Sequence, residues 1–177
     1  MTDHALNVMF VSPEAVPFAK TGGLADVAGA LPIALSKLGL RVCLLMPLYG
    51  MIRQGNFQLT KAFTDLEVHF DFHSLKFDVY STVIDGVTFY FVERDEFFDR
   101  RQLYGTPKGD YFDNLERYIF LAKAVKPVCQ ALNLQLDILH CHDWQSGLVP
   151  VYLREKWQNE EVFTKTASVF TIHNLAY

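Results

Sequence analysis

The sequence predicts an α/β protein: a Rossmann-like, mostly parallel sheet with helices on both faces and an antiparallel hairpin insertion. Three observations carry this. Short apolar runs at residues 7–12 and 40–46, each stopped by a proline, read as strands buried on both faces. Between them Leu24, Val27, Ala28, Leu31, Leu35 and Leu38 recur at spacings of three and four, the period of an amphipathic helix. Asp85-Gly86 separates two alternating segments, residues 77–84 and 87–92, as a two-residue hairpin turn.

Taken in order, the chain opens as strand, glycine-rich loop, helix, strand. Gly39 is the helix stop, and Pro32 predicts a local kink within the helix. Such a βαβ unit crosses over right-handedly and places a ligand site at the C-terminal ends of its strands. Residues 57–92 then alternate with a β period and read as an antiparallel scaffold. Residues 93–113 are polar and aromatic, contain Gly105, Pro107 and Gly109, and read as a long loop, a connection uncommon without a functional role. Leu115, Tyr118, Ile119, Ala122, Val125, Cys129 and Leu132 mark a second helix, kinked near Pro127. A strand at 137–141, a helix at 146–157 and a strand at 166–172 complete the pattern, with no internal repeat.

Composition bounds the partners. The 177 residues suit one domain, residues 1–177, and with half of them hydrophobic and 20% charged they support a packed core. Lys and Arg number 16 against 20 Asp and Glu, a net charge of −4 with no basic run, so nucleic acid is not an expected partner. No apolar run approaches the ~18 residues of a membrane span, and no membrane partner is expected. Cys43, Cys129 and Cys141 are odd in number and sit in apolar runs, which predicts free thiols in a reducing, cytoplasmic setting. The sequence stops five residues after Ile172 without a helix to cover its last strand, so a larger parent protein is expected.

Two clusters carry candidate chemistry. Lys20-Thr21-Gly22-Gly23 follows the first strand and opens the first helix. Adjacent glycines let the backbone approach an anion, the helix N-terminus offers unpaired N–H groups, and Lys20 adds a full charge. The spacing matches neither common nucleotide fingerprint, and a plain Gly-Gly turn with a solvated lysine is the alternative. Asp26, one turn on, either complements the helix dipole or faces the ligand. The second cluster is His140-Cys141-His142-Asp143-Trp144 at the end of a strand, beside Thr171-Ile172-His173-Asn174 at the end of the next. Polar groups converging on one strand edge point to a site. Alternation puts His140 and His142 on one face, so a metal held by both imidazoles is one reading, and Asp143 as a helix cap is another. Tyr104-Gly105 and the segment Asp113 to Arg117 flank the long loop, with Asp113 or Asn114 as a possible N-cap.

These residues also carry a resemblance. KTGGLADVAGALP at 20–32, PLYG at 47–50, YG at Tyr104, DN with Arg117, HCHDW at 140–144 and TIHNLAY at 171–177 are similar, in order, to the start of the bacterial glycogen synthase and plant starch synthase family. The resemblance implies the N-terminal half of a two-domain GT-B fold, with the C-terminal donor-binding domain absent from these residues. It implies a retaining transfer of glucose from ADP-glucose to the non-reducing 4-hydroxyl of an α-1,4-glucan, with no metal or other cofactor. Lys20, Gly22, Gly23 and Asp26 would lie near the donor phosphates, and Tyr104, Asn174, Asp143 and His173 on the sugar side, Asp143 and His173 as the catalytic pair. The isolated chain is not expected to elongate glucan. Competing readings are a non-catalytic glucan or nucleotide-sugar binding module and a metal-dependent hydrolase built on His140 and His142.

Overall fold

The structure is a computed structural model that describes residues 5–175. Ala176 and Tyr177, which end the last quoted motif, lie outside the described residues, as do residues 1–4 of the expected domain. The chain runs β1 (Asn7–Val11), α1 (Gly23–Lys37), β2 (Arg41–Pro47), α2 (Gly50–Gln54), β3 (Thr60–His69), β4 (Ser74–Ile84), β5 (Val87–Glu93), α3 (Asp95–Phe98), β6 (Gly105–Thr106), β7 (Gly109–Asp110), α4 (Asn114–Leu132) and β8 (Ile138–His142). A helical stretch with α5 (Leu148–Tyr152) at its centre follows, and β9 (Ala167–Thr171) closes the described fold.

Seven strands form one sheet in the order β3-β4-β5-β2-β1-β8-β9. The pairs β5-β2, β2-β1, β1-β8 and β8-β9 are parallel, while β3-β4 and β4-β5 are antiparallel. The expected mostly parallel sheet is therefore present. The 57–92 segment is more than a separate scaffold, because β5 pairs in parallel with β2 and sits inside the main sheet. Its interior position follows from its sequence: Val87, Phe89 and Phe91 on one face and Val92 on the other are all fully buried. At the hairpin tip Ile84 pairs with Val87, and Asp85 and Gly86 both have positive φ, 48° and 82°. That combination defines the tight turn that Asp-Gly favours.

The connection β1→α1→β2 moves one way across the sheet, whereas β5→α4→β8 and β8→α5→β9 move the other way. With right-handed crossovers this puts α1 on one face and α4 with α5 on the opposite face, and α4 packs on α5. The reversal between β2 and β8 on either side of β1 is the switch point where open α/β sheets bind ligands.

Both long helices continue through their prolines, Pro32 and Pro127. Gly39, at φ 92°, ends α1: its N–H donates to the Ser36 carbonyl and that of Leu40 to Leu35. The buried stripe of α1 is Leu24, Ala25, Ala28, Gly29 and Pro32, while Val27 and Leu38 are exposed, as is Leu115 on α4. The stripe is narrower than periodicity predicts because small residues bring α1 against the segment after β1. A Cβ at Gly29 would overlap Val16 Cγ2 and lie 2.7 Å from the Val16 carbonyl oxygen. Gly29→Ala is therefore expected to destabilise the fold by about 1–3 kcal/mol despite alanine's better helix propensity. A thermal melt checks this, and an unchanged or higher midpoint would contradict it.

The predicted 93–113 loop is not featureless. It holds α3 and the two-strand β6-β7 ribbon, ordered around the fully buried Arg117 of α4. The guanidinium donates to the carbonyls of Phe97 (2.7 Å) and Leu103 (2.9 Å) and to Asn114 Oδ1 (2.6 Å). Neither Asp113 nor Asn114 caps α4 through its side chain. Asp113 is taken by Arg100, at 2.7 and 2.5 Å, which holds its carboxyl below the usual carboxylate range. Asn114 is taken by Arg117 and by the Tyr104 carbonyl. The predicted helix over 146–157 is three geometries in succession: a 3₁₀ turn at Trp144–Ser146, α5, and a π-helical turn at Leu153–Trp157.

All three cysteines are free and buried, and burial pushes the Cys43 and Cys141 thiols up to about 12. Among the described residues no helix is long and apolar enough to cross a membrane.

Candidate active site

At the C-terminal ends of β1, β8 and β9 lies a cavity of about 490 Å³, lined among others by Gly22, Gly23, Tyr104, Asp143, His173 and Asn174. Six of the eight residues that the family resemblance assigns to the site therefore share one space, although they are spread from residue 22 to residue 174. Lys20 lines an adjoining cavity of about 440 Å³, which shares Thr21 and Tyr104 with the first. Asp26 lies outside both linings. Instead its carboxylate pairs with the Lys20 ammonium at 2.7 Å, both side chains about half exposed. Such an exposed pair is worth at most about 1 kcal/mol and is readily exchanged.

Gly22 and Gly23 form the N-terminal end of α1, with Gly22 in an extended conformation and no side chain capping the helix. A Cβ at either glycine would meet nothing within 4 Å, so the wall here is bare backbone. Unpaired N–H groups of the first turn and the positive end of the helix dipole suit an anion.

The opposite wall is built by the end of β8. Asp143 adopts φ 55° and ψ −179°, a region that favours glycine and costs a side chain about 1–3 kcal/mol. The conformation is held from several sides. The Asp143 N–H donates to the Thr171 carbonyl (3.0 Å), its carbonyl accepts from the Ser146 N–H (3.1 Å), and its Oδ1 accepts from the His173 N–H (2.6 Å). Asp143 stands at the N-cap of the 3₁₀ turn that follows but makes no side-chain cap hydrogen bond, because its carboxylate holds the neighbouring strand end instead.

His140, His142 and His173 form a row. His140 and His142 lie face to face, with centroids 4.3 Å apart and planes 28° apart, over Phe10 of β1. His140 Nε2 is 2.7 Å from Thr171 Oγ1, and His142 Nδ1 is 2.8 Å from His173 Nε2. Burial, reinforced by the neighbouring histidines, holds His142 down to about 3, and burial likewise lowers His140. Both are neutral imidazoles at neutral pH. A metal binds an imidazole in the ring plane, and two face-to-face rings do not aim their nitrogens at a common point. Among the described residues no group of three or more His, Cys, Asp or Glu side chains is placed to hold a metal ion.

Two lining residues escaped the sequence reading, Glu14 and Gln145, while Thr21 entered it only as part of the glycine-loop motif. Glu14 is 3% exposed. Its carboxylate accepts from the Thr21 backbone N–H, from Thr21 Oγ1 (3.0 Å) and from the Tyr104 hydroxyl (3.1 Å), tying the glycine loop to the β6-β7 region. The available signal was a carboxylate three residues past the end of a buried strand, at the edge where ligands bind.

A family model described as the starch synthase catalytic domain matches residues 7–177. The chain belongs to the starch synthase catalytic domain family. Among curated relatives, it is 42% identical over 172 residues to glycogen synthase 2 of Geobacter sulfurreducens and 46% identical over 176 residues to glycogen synthase of Koribacter versatilis. Each match covers 97% of this chain but only 36% and 35% of the relative, so the chain spans about a third of their length. Among solved structures, the catalytic domain of starch synthase IV from Arabidopsis thaliana, bound to ADP and acarbose, superposes with a TM-score of 0.84 at 28% identity. That match covers 98% of this chain and 35% of the other.

Proposed function

We propose that residues 1–177 are the N-terminal, Rossmann-like part of a retaining glucosyltransferase that extends an α-1,4-glucan with glucose from ADP-glucose. The observation that carries this reading is the shared cavity: a bare helix N-terminus on one side and the Asp143–His173 pair on the other. The glycogen synthase relatives and the ADP- and acarbose-bound neighbour agree with it. In this reading a C-terminal domain forms the facing wall and holds most of the nucleotide, the enzyme works in the cytoplasm, and no metal or cofactor takes part.

The chemistry asks for stabilisation of negative charge on departing ADP and of positive charge at the anomeric carbon. The Gly22 and Gly23 backbone supports the first, acting in a closed cleft from which water is excluded. Lys20 joins by exchanging Asp26 for the diphosphate. Tyr104 and Asn174 border the sugar. Asp143 already accepts the His173 N–H at 2.6 Å, which withdraws electron density from one carboxylate oxygen. It is thereby better suited to electrostatic support and to placing His173 than to covalent attack, and same-face displacement assisted by the leaving phosphate is the mechanism proposed.

The test is a glucan-synthesis assay with labelled ADP-glucose on the full-length enzyme. His173→Ala is expected to lower turnover about a hundred-fold or more with an unchanged circular dichroism spectrum, because it removes a group aimed at the reacting sugar. A chelator should leave wild-type turnover intact. Wild-type turnover that is lost to chelator and restored by zinc or manganese would overturn the proposal, as would a fully active His173→Ala.

A further inference from the structure

We propose that His142 is a positioning residue: its Nδ1–H donates to His173 Nε2 and thereby fixes His173 in the tautomer that carries its proton on Nδ1. The relevance of this to glucosyl transfer rests on the reading above, while the tautomer itself follows from geometry alone. His142 is fully buried, and its ring lies within 22° of parallel to that of His173, with centroids 5.1 Å apart and the two nitrogens 2.8 Å apart. This is the arrangement of an in-plane bond between two ring edges, in which one nitrogen donates its proton and the other accepts it.

Two placements of that proton are possible, and the other end of His142 decides between them. Its Nε2 is sealed from solvent and meets no hydrogen-bonding group among the described residues. If His173 were the donor, His142 would have to carry its own proton on Nε2, leaving a buried N–H without an acceptor. If His142 is the donor, Nε2 is a bare lone pair. Orphaned N–H groups are rarer in proteins than under-satisfied acceptors, and stranding a buried donor carries a desolvation penalty. The second placement is favoured. Protonation of both nitrogens of His142 is opposed by burial and by His140 and His173 beside it, and Thr171 and Phe10 complete the surroundings with neutral groups.

The end of β8 thus grips His173 twice, through Asp143 at its main chain and through His142 at its ring. With Nε2 occupied as an acceptor, the ring has Nδ1–H left to offer. His173 therefore meets a ligand as a hydrogen-bond donor, suited to a sugar hydroxyl or phosphate oxygen.

The experiment is a long-range ¹⁵N–¹H correlation spectrum of the histidine rings in the isotope-labelled chain at neutral pH, without ligand. The expected pattern is a protonated Nδ1 and bare Nε2 on both His142 and His173. His142→Asn, whose amide N–H takes the place of Nδ1–H, should preserve the His173 pattern, and His142→Leu should release His173 to a mixture of tautomers. A wild-type His173 protonated on Nε2, or a His142→Leu protein with the wild-type His173 pattern, would overturn the proposal. If the leucine variant does not fold, the wild-type and asparagine spectra decide. The readout needs no substrate, so its failure is distinct from failure of the glucan-synthesis assay.

Discussion

Arg117→Ala is expected to destabilise the protein by about 3–5 kcal/mol. The wild-type guanidinium is fully buried and satisfies the Phe97 and Leu103 carbonyls and Asn114 Oδ1 while lying 5.1–5.6 Å from the rings of Phe98, Tyr111 and Tyr118. Alanine would strand those acceptors, each at about 1–3 kcal/mol unless water reaches it, and leave a large void among aromatic rings. Lysine would rescue only in part, because one ammonium cannot reproduce a planar fork with three separate partners. The loss should be felt at the site as well, since Asn114, which Arg117 orients, holds the Tyr104 carbonyl at 2.8 Å. Urea unfolding of the wild type and both variants gives the measurement. A loss below about 1 kcal/mol for alanine would show that Arg117 is not what orders this segment.

Acid should weaken the fold well before Asp78 and Asp113 titrate. Unfolded histidine takes a proton near 6.5, whereas folded His142 resists until about 3 and folded His140 is also lowered. Between these values the unfolded chain binds more protons than the native one, so stability is fully present above about 6.5 and falls as the pH drops towards 3. Each such histidine contributes a slope of up to about 1.4 kcal/mol per pH unit. Asp78 and Asp113 are lowered from 3.8, so their loss begins only below that value. Between about 6.5 and 4 the loss therefore comes from His142 and His140 before Asp78 and Asp113 contribute. Urea midpoints across that window should decline steeply for the wild type and less steeply for His142→Asn. Parallel slopes in the two proteins would show that His142 does not remain neutral in the fold.

Much of the architecture is legible along the chain because it depends on local period. The flanking apolar runs of β1 and β2, the Gly39 stop and the Asp85-Gly86 turn each need only their immediate neighbours. The polar tails of β8 and β9 are legible for a related reason: adjacent parallel strands bring their ends to one rim whatever fills the core. Arg117 and Glu14 are not. A charged residue reads as surface in a pattern of apolar spacing, and both are buried by partners supplied from distant segments, Phe97 and Leu103 in one case and Tyr104 in the other. The same limit explains why residues 93–113 read as an open loop: their order comes from a guanidinium on α4. The position of β5 was hidden differently, since alternation identifies a strand and its hairpin partner but not the parallel neighbour on its other edge.

Glu14 has a consequence for ligand encounter. By gathering Thr21 and the Tyr104 hydroxyl onto one buried carboxylate, it joins two segments distant in sequence into a single preassembled wall. Immobilising a rotamer-rich side chain during association typically costs about 0.5–1.5 kcal/mol. At Thr21 and Tyr104 that loss of freedom has already occurred when the chain folds, so any ligand that contacts these two side chains keeps more of its contact energy as affinity.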